Sequence, residues 1–439
     1  MEGEVRYLKE AREVASVTPT RAVRDSVEDI IDRVRENGDD GVRACTREFD
    51  DVDREQLRVT PEEIEAAGQT LDDADRRAID ATIQRVRSFH RAQRQSLDGF
   101  ERAFDDGVVL GTRLVPVEHV GVYVPGGRKP LVAAPAMTIV PAVVAGVDRV
   151  IACAPPQRDG TPHPAQLYAM DQAGADAVYV AGGAQAIAAM AHGTETIPAV
   201  DLITGPGNVF VTEAKRAVYG RVGIDFLAGP TEVLIVADAT ADPALVATDL
   251  LAQAEHDPDA RAILVTTDES LAEAAMTELE AQLPDLATEE VARASWSEHG
   301  EVIVAPDRTT AAALVNDYAP EHVQLMVSDP RALFDELSNF GSAFLGHHAP
   351  VVFGDKAIGT NHTLPTRRVA RYTGGISVLT YLKACTYQEV SAAGADAIAP
   401  WAAKICQLEG THAHQLSAEA RIASETARDL AADLGLDAD

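Results

Sequence analysis

HVGVYVPGG (119–127), RVIACAPP (149–156), AVYVAGG (177–183) and DLITGPGN (201–208) decide the fold of this chain. Each is a short apolar run that stops at glycine or proline, and the segments between them carry helical apolar spacing. A helix that follows a strand must return the chain to the starting edge, so successive strands run parallel with helices on the sheet faces. After VFVTEAKRAVYG (209–220) and GIDFLAGP (223–230) a second run of the same texture follows: TEVLIVADAT (231–240), RAILVTTD (261–268), GEVIVAPD (300–307), HVQLMVSD (322–329) and SAFLG (342–346). The pattern predicts an α/β chain with two consecutive Rossmann-like parallel-sheet domains, at 117–230 and 231–372. Residues 1–116 read as a helical N-terminal region, because VRDSVEDIIDRVRENG and the segment from Pro61 to Gln95 place apolar residues three and four apart. Residues 373–439 lose the strand pattern and read as a helical tail.

The chain has 439 residues, enough for several cored domains, and a formal charge of −31. Such a field repels phosphate backbones and anionic lipid, so nucleic acid and membrane surfaces are not expected partners. The acids are dispersed over helices, the surface expected of a protein adapted to high salt. Four cysteines, Cys45, Cys153, Cys385 and Cys406, form neither a CxxC knuckle nor a disulfide pattern, which fits a reducing cytoplasm. The start MEGEVRYLKEAREV lacks the apolar core of a signal peptide. The apolar run 131–147 contains Pro135 and Pro141 and reads as a buried helix rather than a span.

Four separated segments carry polar chemistry. In QAEHD, Gln253 and His256 share one helical face near its end, and an amide oxygen and an imidazole can both ligate a divalent cation. Asp355 of GDKAIGTNH and His414 are candidates for the remaining positions. Glu321 and His322 of YAPEH stand side by side where a helix passes into a strand, and can act as bases for two different protons. The glycine segments VPGGR, AGGAQA and TGPGN lie at successive strand ends, where free N–H groups favour a dinucleotide phosphate. Cys153, mid-strand among apolar residues, reads as an inert thiol.

Taken in order, GVYVPGG, GGAQAIAA, GPGN, VTEAKR, AGPTEVLIVAD, DLLAQAEHDPDA, APEH, GDKAIGTNHTLPT and the distal AH closely resemble histidinol dehydrogenase, over nearly the whole chain and most densely at 119–366. The resemblance implies two successive NAD-dependent oxidations, from L-histidinol through L-histidinaldehyde to L-histidine, the last steps of histidine biosynthesis. It implies one zinc ion per subunit on Gln253, His256, Asp355 and His414, with His322 as the base for both oxidations and Glu321 activating water. Thr231, His362 and Glu409 would contact substrate together with the metal ligands and His322, while Tyr123, Gln185 and Asn208 would hold NAD. It also implies a homodimer in which the C-terminal tail crosses to its partner. The chain departs from the usual pattern with GPTE for GPSE, with APEH for the commoner GPEH, and in VPGGRKPL and LTYLKACTYQEVS. A relative acting on another small alcohol, a zinc hydrolase using Glu321, and a non-catalytic relative are the competing readings. The strand-end glycines count against the hydrolase, and the intact Glu321 and His322 against the last.

Overall fold

The computed structural model describes residues 4–12, 19–126 and 130–436. The chain divides into two compact units: residues 1–94 with 117–381, and residues 95–116 with 382–439.

In the first unit the helices Arg21–Asp50, Pro61–Thr70 and Asp73–Gln95 form the expected helical N-terminal region. Gly38 interrupts the first of them with φ 55° and ψ −131°, where an added Cβ would strike the Glu195 carboxylate. The strand series then appears as read. In the first sheet, β4 (His119–Tyr123), β5 (Arg149–Ala154), β6 (Ala177–Val180), β7 (Leu202–Thr204) and β8 (Gly223–Ile224) pair in parallel, in the order β6-β5-β4-β7-β8. The order reverses between β4 and β7, which opens a crevice at their carboxyl ends. In the second sheet the order is β1-β11-β10-β9-β12-β13, built from β9 (Glu232–Ala237), β10 (Arg261–Thr266), β11 (Glu301–Val304), β12 (His322–Met326) and β13 (Ser342–Leu345). These five are parallel, and β1 (Arg6–Lys9) joins the β11 edge antiparallel. All six residues of β9 are buried, because helices cover both faces of a central strand.

The apolar run near residue 140 is the helix Ala134–Ala145, buried at most of its positions. Among the described residues no helix is long and apolar enough to cross a membrane.

The second unit holds what the apolar pattern did not announce. β2 (Phe100–Asp105), β3 (Val108–Pro116) and β14 (Leu382–Val390) form an antiparallel sheet in the order β14-β3-β2. The region before residue 117 is therefore not helical throughout, and the tail opens with a strand before its helices Ala392–Glu409, His412–Glu419 and Glu425–Asp433. Every residue of β2 and eight of the nine in β14 are exposed, so neither strand carries the alternation that marks a half-buried strand. Ala403, Ala431 and Leu436 make the small core of these helices.

Candidate active site

Adjacent strands β9 and β12 run parallel with His322 opposite Val233, so the turns that lead into them, Pro230–Thr231 and Pro320–Glu321, lie side by side. This is the amino edge of the second sheet, opposite in polarity to the crevice of the first. The Thr231 hydroxyl donates to Glu321 Oε2 at 2.6 Å, and the Glu232 N–H donates to the same oxygen at 2.9 Å. His322 Nδ1 sits 3.0 Å from the Glu232 carbonyl, which assigns the Nδ1 proton to that bond. Nε2 of His322 lies 3.5 Å from Asp355 Oδ1, an ion-pair distance without hydrogen-bond alignment, so this buried nitrogen has no hydrogen-bond partner.

Glu321 and His322 are only 6% and 3% exposed, and their environments raise both. Burial pushes the Glu321 carboxyl up to about 7 against the pull of His322 and the hydrogen bonds from Thr231 and Glu232. Burial alone lowers His322, but the carboxylates of Glu321 and Asp355 outweigh it and raise the imidazole to about 9. Asp355 is held far below the usual carboxylate range by His322, His362 and Lys356 in spite of its burial. A carboxyl raised into the neutral range directly beside a buried imidazole forms an acid–base pair between which protons can pass.

Gln253 is the penultimate residue of the helix Pro243–Ala254, which stops short of Asp257, and His256 lies in the turn just beyond it. The turn still brings both residues to the site. Gln253 Nε2 donates to Thr231 Oγ1 at 2.9 Å, which leaves its carbonyl oxygen without a hydrogen bond. His256 Nδ1 lies 2.9 Å from the Ala252 carbonyl, and its Nε2 comes within 3.9 Å of Asp355 Oδ2. His362 Nδ1 is fixed 2.5 Å from the Asp355 carbonyl oxygen, next to the same carboxylate. An imidazole oriented by a backbone carbonyl, an unengaged amide oxygen and a carboxylate are a borderline cation's donor set, so the residues fit zinc. Among the described residues no three His, Cys, Asp or Glu side chains gather into a metal group. Glu409 and His414 belong to the second unit, where both are exposed.

Glu232 escaped the sequence reading although it stands inside GPTE. It is 2% exposed, takes the Arg367 N–H on Oε1 at 2.8 Å, and has Arg261 3.5 Å from Oε2. Its backbone N–H and C=O are the groups that hold Glu321 and His322, so its side chain anchors the strand start on which both depend. A carboxylate opening an otherwise apolar, buried strand was the available signal. Ala319 adopts φ 47°, a left-handed conformation that glycine takes freely. The APEH variant therefore places a Cβ where the commoner glycine has none, at a cost of about 1 kcal/mol.

At the crevice of the first sheet, Tyr123 ends β4, Gln185 lies in the first turn of the helix Gly183–His192, and Asn208 caps the helix Val209–Val218. The Tyr123 hydroxyl accepts the Gly183 N–H at 3.1 Å, and the Asn208 side chain accepts the N–H groups of Phe210 and Val211. Gly205 has φ 121°, and a Cβ there would lie 2.1 Å from the Tyr123 carbonyl oxygen, so only glycine closes this turn. Buried Lys215 pins the turn, donating to the Gly205 carbonyl at 3.0 Å while paired with Asp225, which itself accepts the Gly205 N–H at 2.8 Å. The remainder of the VPGGR segment, residues 127 and 128, lies outside the described residues, as does residue 129. Cys153 is fully buried and its thiol is pushed up to about 12 by burial, in keeping with an inert role.

The chain matches the family model "Histidinol dehydrogenase" over residues 14–422. It is 45% identical over 417 residues to a histidinol dehydrogenase homolog of Shouchella clausii, covering 95% of this chain and 98% of that one. It is also 45% identical over 405 residues to the histidinol dehydrogenase of Halobacterium salinarum, covering 92% and 94%. The crystal structure of histidinol dehydrogenase from Elizabethkingia anophelis superposes with a TM-score of 0.89 at 35% identity over 94% of both chains. With two parallel sheets, a buried Glu–His pair at one sheet edge and matches that span nearly the whole chain, this protein belongs to the histidinol dehydrogenase family of NAD-dependent oxidoreductases.

Proposed function

We propose that this chain oxidises L-histidinol to L-histidinaldehyde and then to L-histidine, reducing one NAD in each step. The observation that carries the reading is the Glu321–His322 pair, held by Thr231 and Glu232 beside Gln253, His256 and Asp355. His322, with Nδ1 tied to the Glu232 carbonyl, presents Nε2 to the substrate hydroxyl and takes its proton while hydride leaves carbon for the nicotinamide. Glu321 takes a proton from the water that adds to the aldehyde, and His322 removes the hydrate's proton in the second hydride transfer. Gln253, His256 and Asp355, with His414 from the tail, would hold one zinc ion. When bound, that ion supplies a positive charge that orients the substrate's nitrogen donors. His362 and Glu409 contact the substrate, and Tyr123, Gln185 and Asn208 hold NAD at the first sheet. The first parallel sheet is thus the NAD side and the second the zinc and base side.

A homodimer goes with this reading. Ile398, Trp401, Ile405 and Leu408 line one face of the helix Ala392–Glu409, and Leu408 is 72% exposed. An apolar stripe of that kind is the mark of a partner surface. We assign a second copy to it, with Glu409 and His414 completing the partner's site.

Adding L-histidinol and NAD should give about two NADH for each histidine formed. A second reading keeps the same machinery on another small alcohol. It is supported by the relatives of Shouchella clausii and Mesorhizobium japonicum, named only as homologs, and by Thr231, whose methyl stands beside the substrate position. No NADH from histidinol, with turnover of a different alcohol, would select that reading.

Chelation should abolish activity, and zinc should restore it. His256→Ala should lower both metal content, read by atomic absorption, and substrate affinity, with a metal loss of at least tenfold. NAD should still bind the metal-free protein, since its residues lie at the other sheet. Full turnover by protein shown to be metal-free would remove the metal from the scheme.

A further inference from the structure

The first unit holds a cavity of about 620 Å³ just past the carboxyl ends of β4 and β5, lined by Gly126, Pro155, Arg158, Asp159 and Gln166, and by Asp50 from the N-terminal helix. Asp50 reaches the end of β6 as well: a Cβ on Gly182 would lie 3.6 Å from its Oδ1 and 2.7 Å from Pro155 Cβ. The placement of this carboxylate is unfavourable three times over. It is the last residue of the helix Arg21–Asp50, where the helix dipole repels an anion. Its Oδ2 is buried without a hydrogen-bond partner. Burial pushes the carboxyl up to about 6. A half-buried carboxylate at the edge of a cavity, with one oxygen buried and unpartnered, is a group suited to a ligand.

We propose that Asp50 accepts the hydroxyls of the dinucleotide's adenosine ribose and so selects the 2′-hydroxyl form over the 2′-phosphorylated one. The assignment rests on the reading that Tyr123, Gln185 and Asn208 hold NAD. In a sheet of this order the adenosine half lies beyond the strand next to the first, and the acid that takes the ribose normally stands at the end of that second strand. Here that strand is β5, and it ends in Ala154, Pro155 and Pro156, which offer neither a carboxylate nor a proline N–H. The N-terminal helix delivers the missing acid from outside the strand–helix series. Asp50 also faces the cofactor-side Tyr123, whose phenol is pushed up to about 12 by burial, with the charge of Asp50 adding to the effect. A 2′-phosphate would bring a second anion against this carboxylate, while exposed Arg158 would be available to it once the carboxylate is gone.

The test uses the full-length protein, with ADP-ribose, its 2′-phosphate, nicotinamide mononucleotide and NAD titrated calorimetrically against wild type, Asp50→Asn and Asp50→Ala. ADP-ribose should bind roughly tenfold more weakly to both variants, and preference over the 2′-phosphate should fall by at least as much. Nicotinamide mononucleotide should bind all three alike. The melting temperature of Asp50→Asn should hold or rise, because a half-buried charge at the unfavourable end of a helix is removed. Unchanged ADP-ribose affinity, or a lowered melting temperature with all ligands weakened equally, would overturn the assignment. Gln185→Ala separates the underlying reading: if it binds NAD as wild type does, the dinucleotide's placement at this sheet end fails, whereas weakened binding there with unaffected Asp50 variants defeats the Asp50 assignment alone.

Discussion

Glu321→Gln should slow oxidation of histidinaldehyde by roughly 10²–10⁴-fold while leaving oxidation of histidinol within a few-fold of wild type. The amide keeps an oxygen for the Thr231 hydroxyl and the Glu232 N–H, so the turn before β12 is not released. What it loses is the ability to take a proton from water, which only the second oxidation needs. His322→Asn should slow both oxidations, since each hydride transfer requires removal of a hydroxyl proton. Single-turnover kinetics started separately from alcohol and from aldehyde read the two steps apart. Equal losses in both steps of the Glu321 variant would refute the division of labour between the pair.

The second large effect is complementation between two inactive proteins. Gln253, His256 and Asp355 meet within the first unit, whereas Glu409 and His414 belong to the second. If the tail completes the site of a partner copy, His256→Ala and His414→Ala homodimers should each be dead. In a mixed dimer one site collects both lesions and the other none. Random assembly makes about half the dimers mixed, so co-expression should return roughly a quarter of wild-type activity. Mixed dimers confirmed by differential tags but without recovery would show that each chain builds its own site.

Periodicity in the sequence was enough for the two parallel sheets, because strands buried on both faces, such as β9, are written as unbroken apolar runs. It was enough as well for the buried helix at Ala134–Ala145. Adjacency in the chain brought Glu321 to His322, and helical spacing brought Gln253 to His256 even though the helix ends at Ala254. By contrast, β14 joins β3 only through pairing between segments some 270 residues apart, such as Val390 with Val108, and the exposed strands β2 and β14 leave no apolar trace.

Only the tertiary structure decided the chemistry's surroundings. Parallel register set Thr231 and Glu232 against Glu321 and His322, about ninety residues away; burial then raised the Glu321 carboxyl, and the neighbouring carboxylates raised the His322 imidazole against its burial. The roles of Glu232, whose place at the head of an apolar strand was its one sequence signal, and of Asp50 emerge only in the tertiary structure. A carboxylate's role depends on which partners surround it and how much water is excluded, and both are fixed by contacts distant along the chain rather than by neighbours within it.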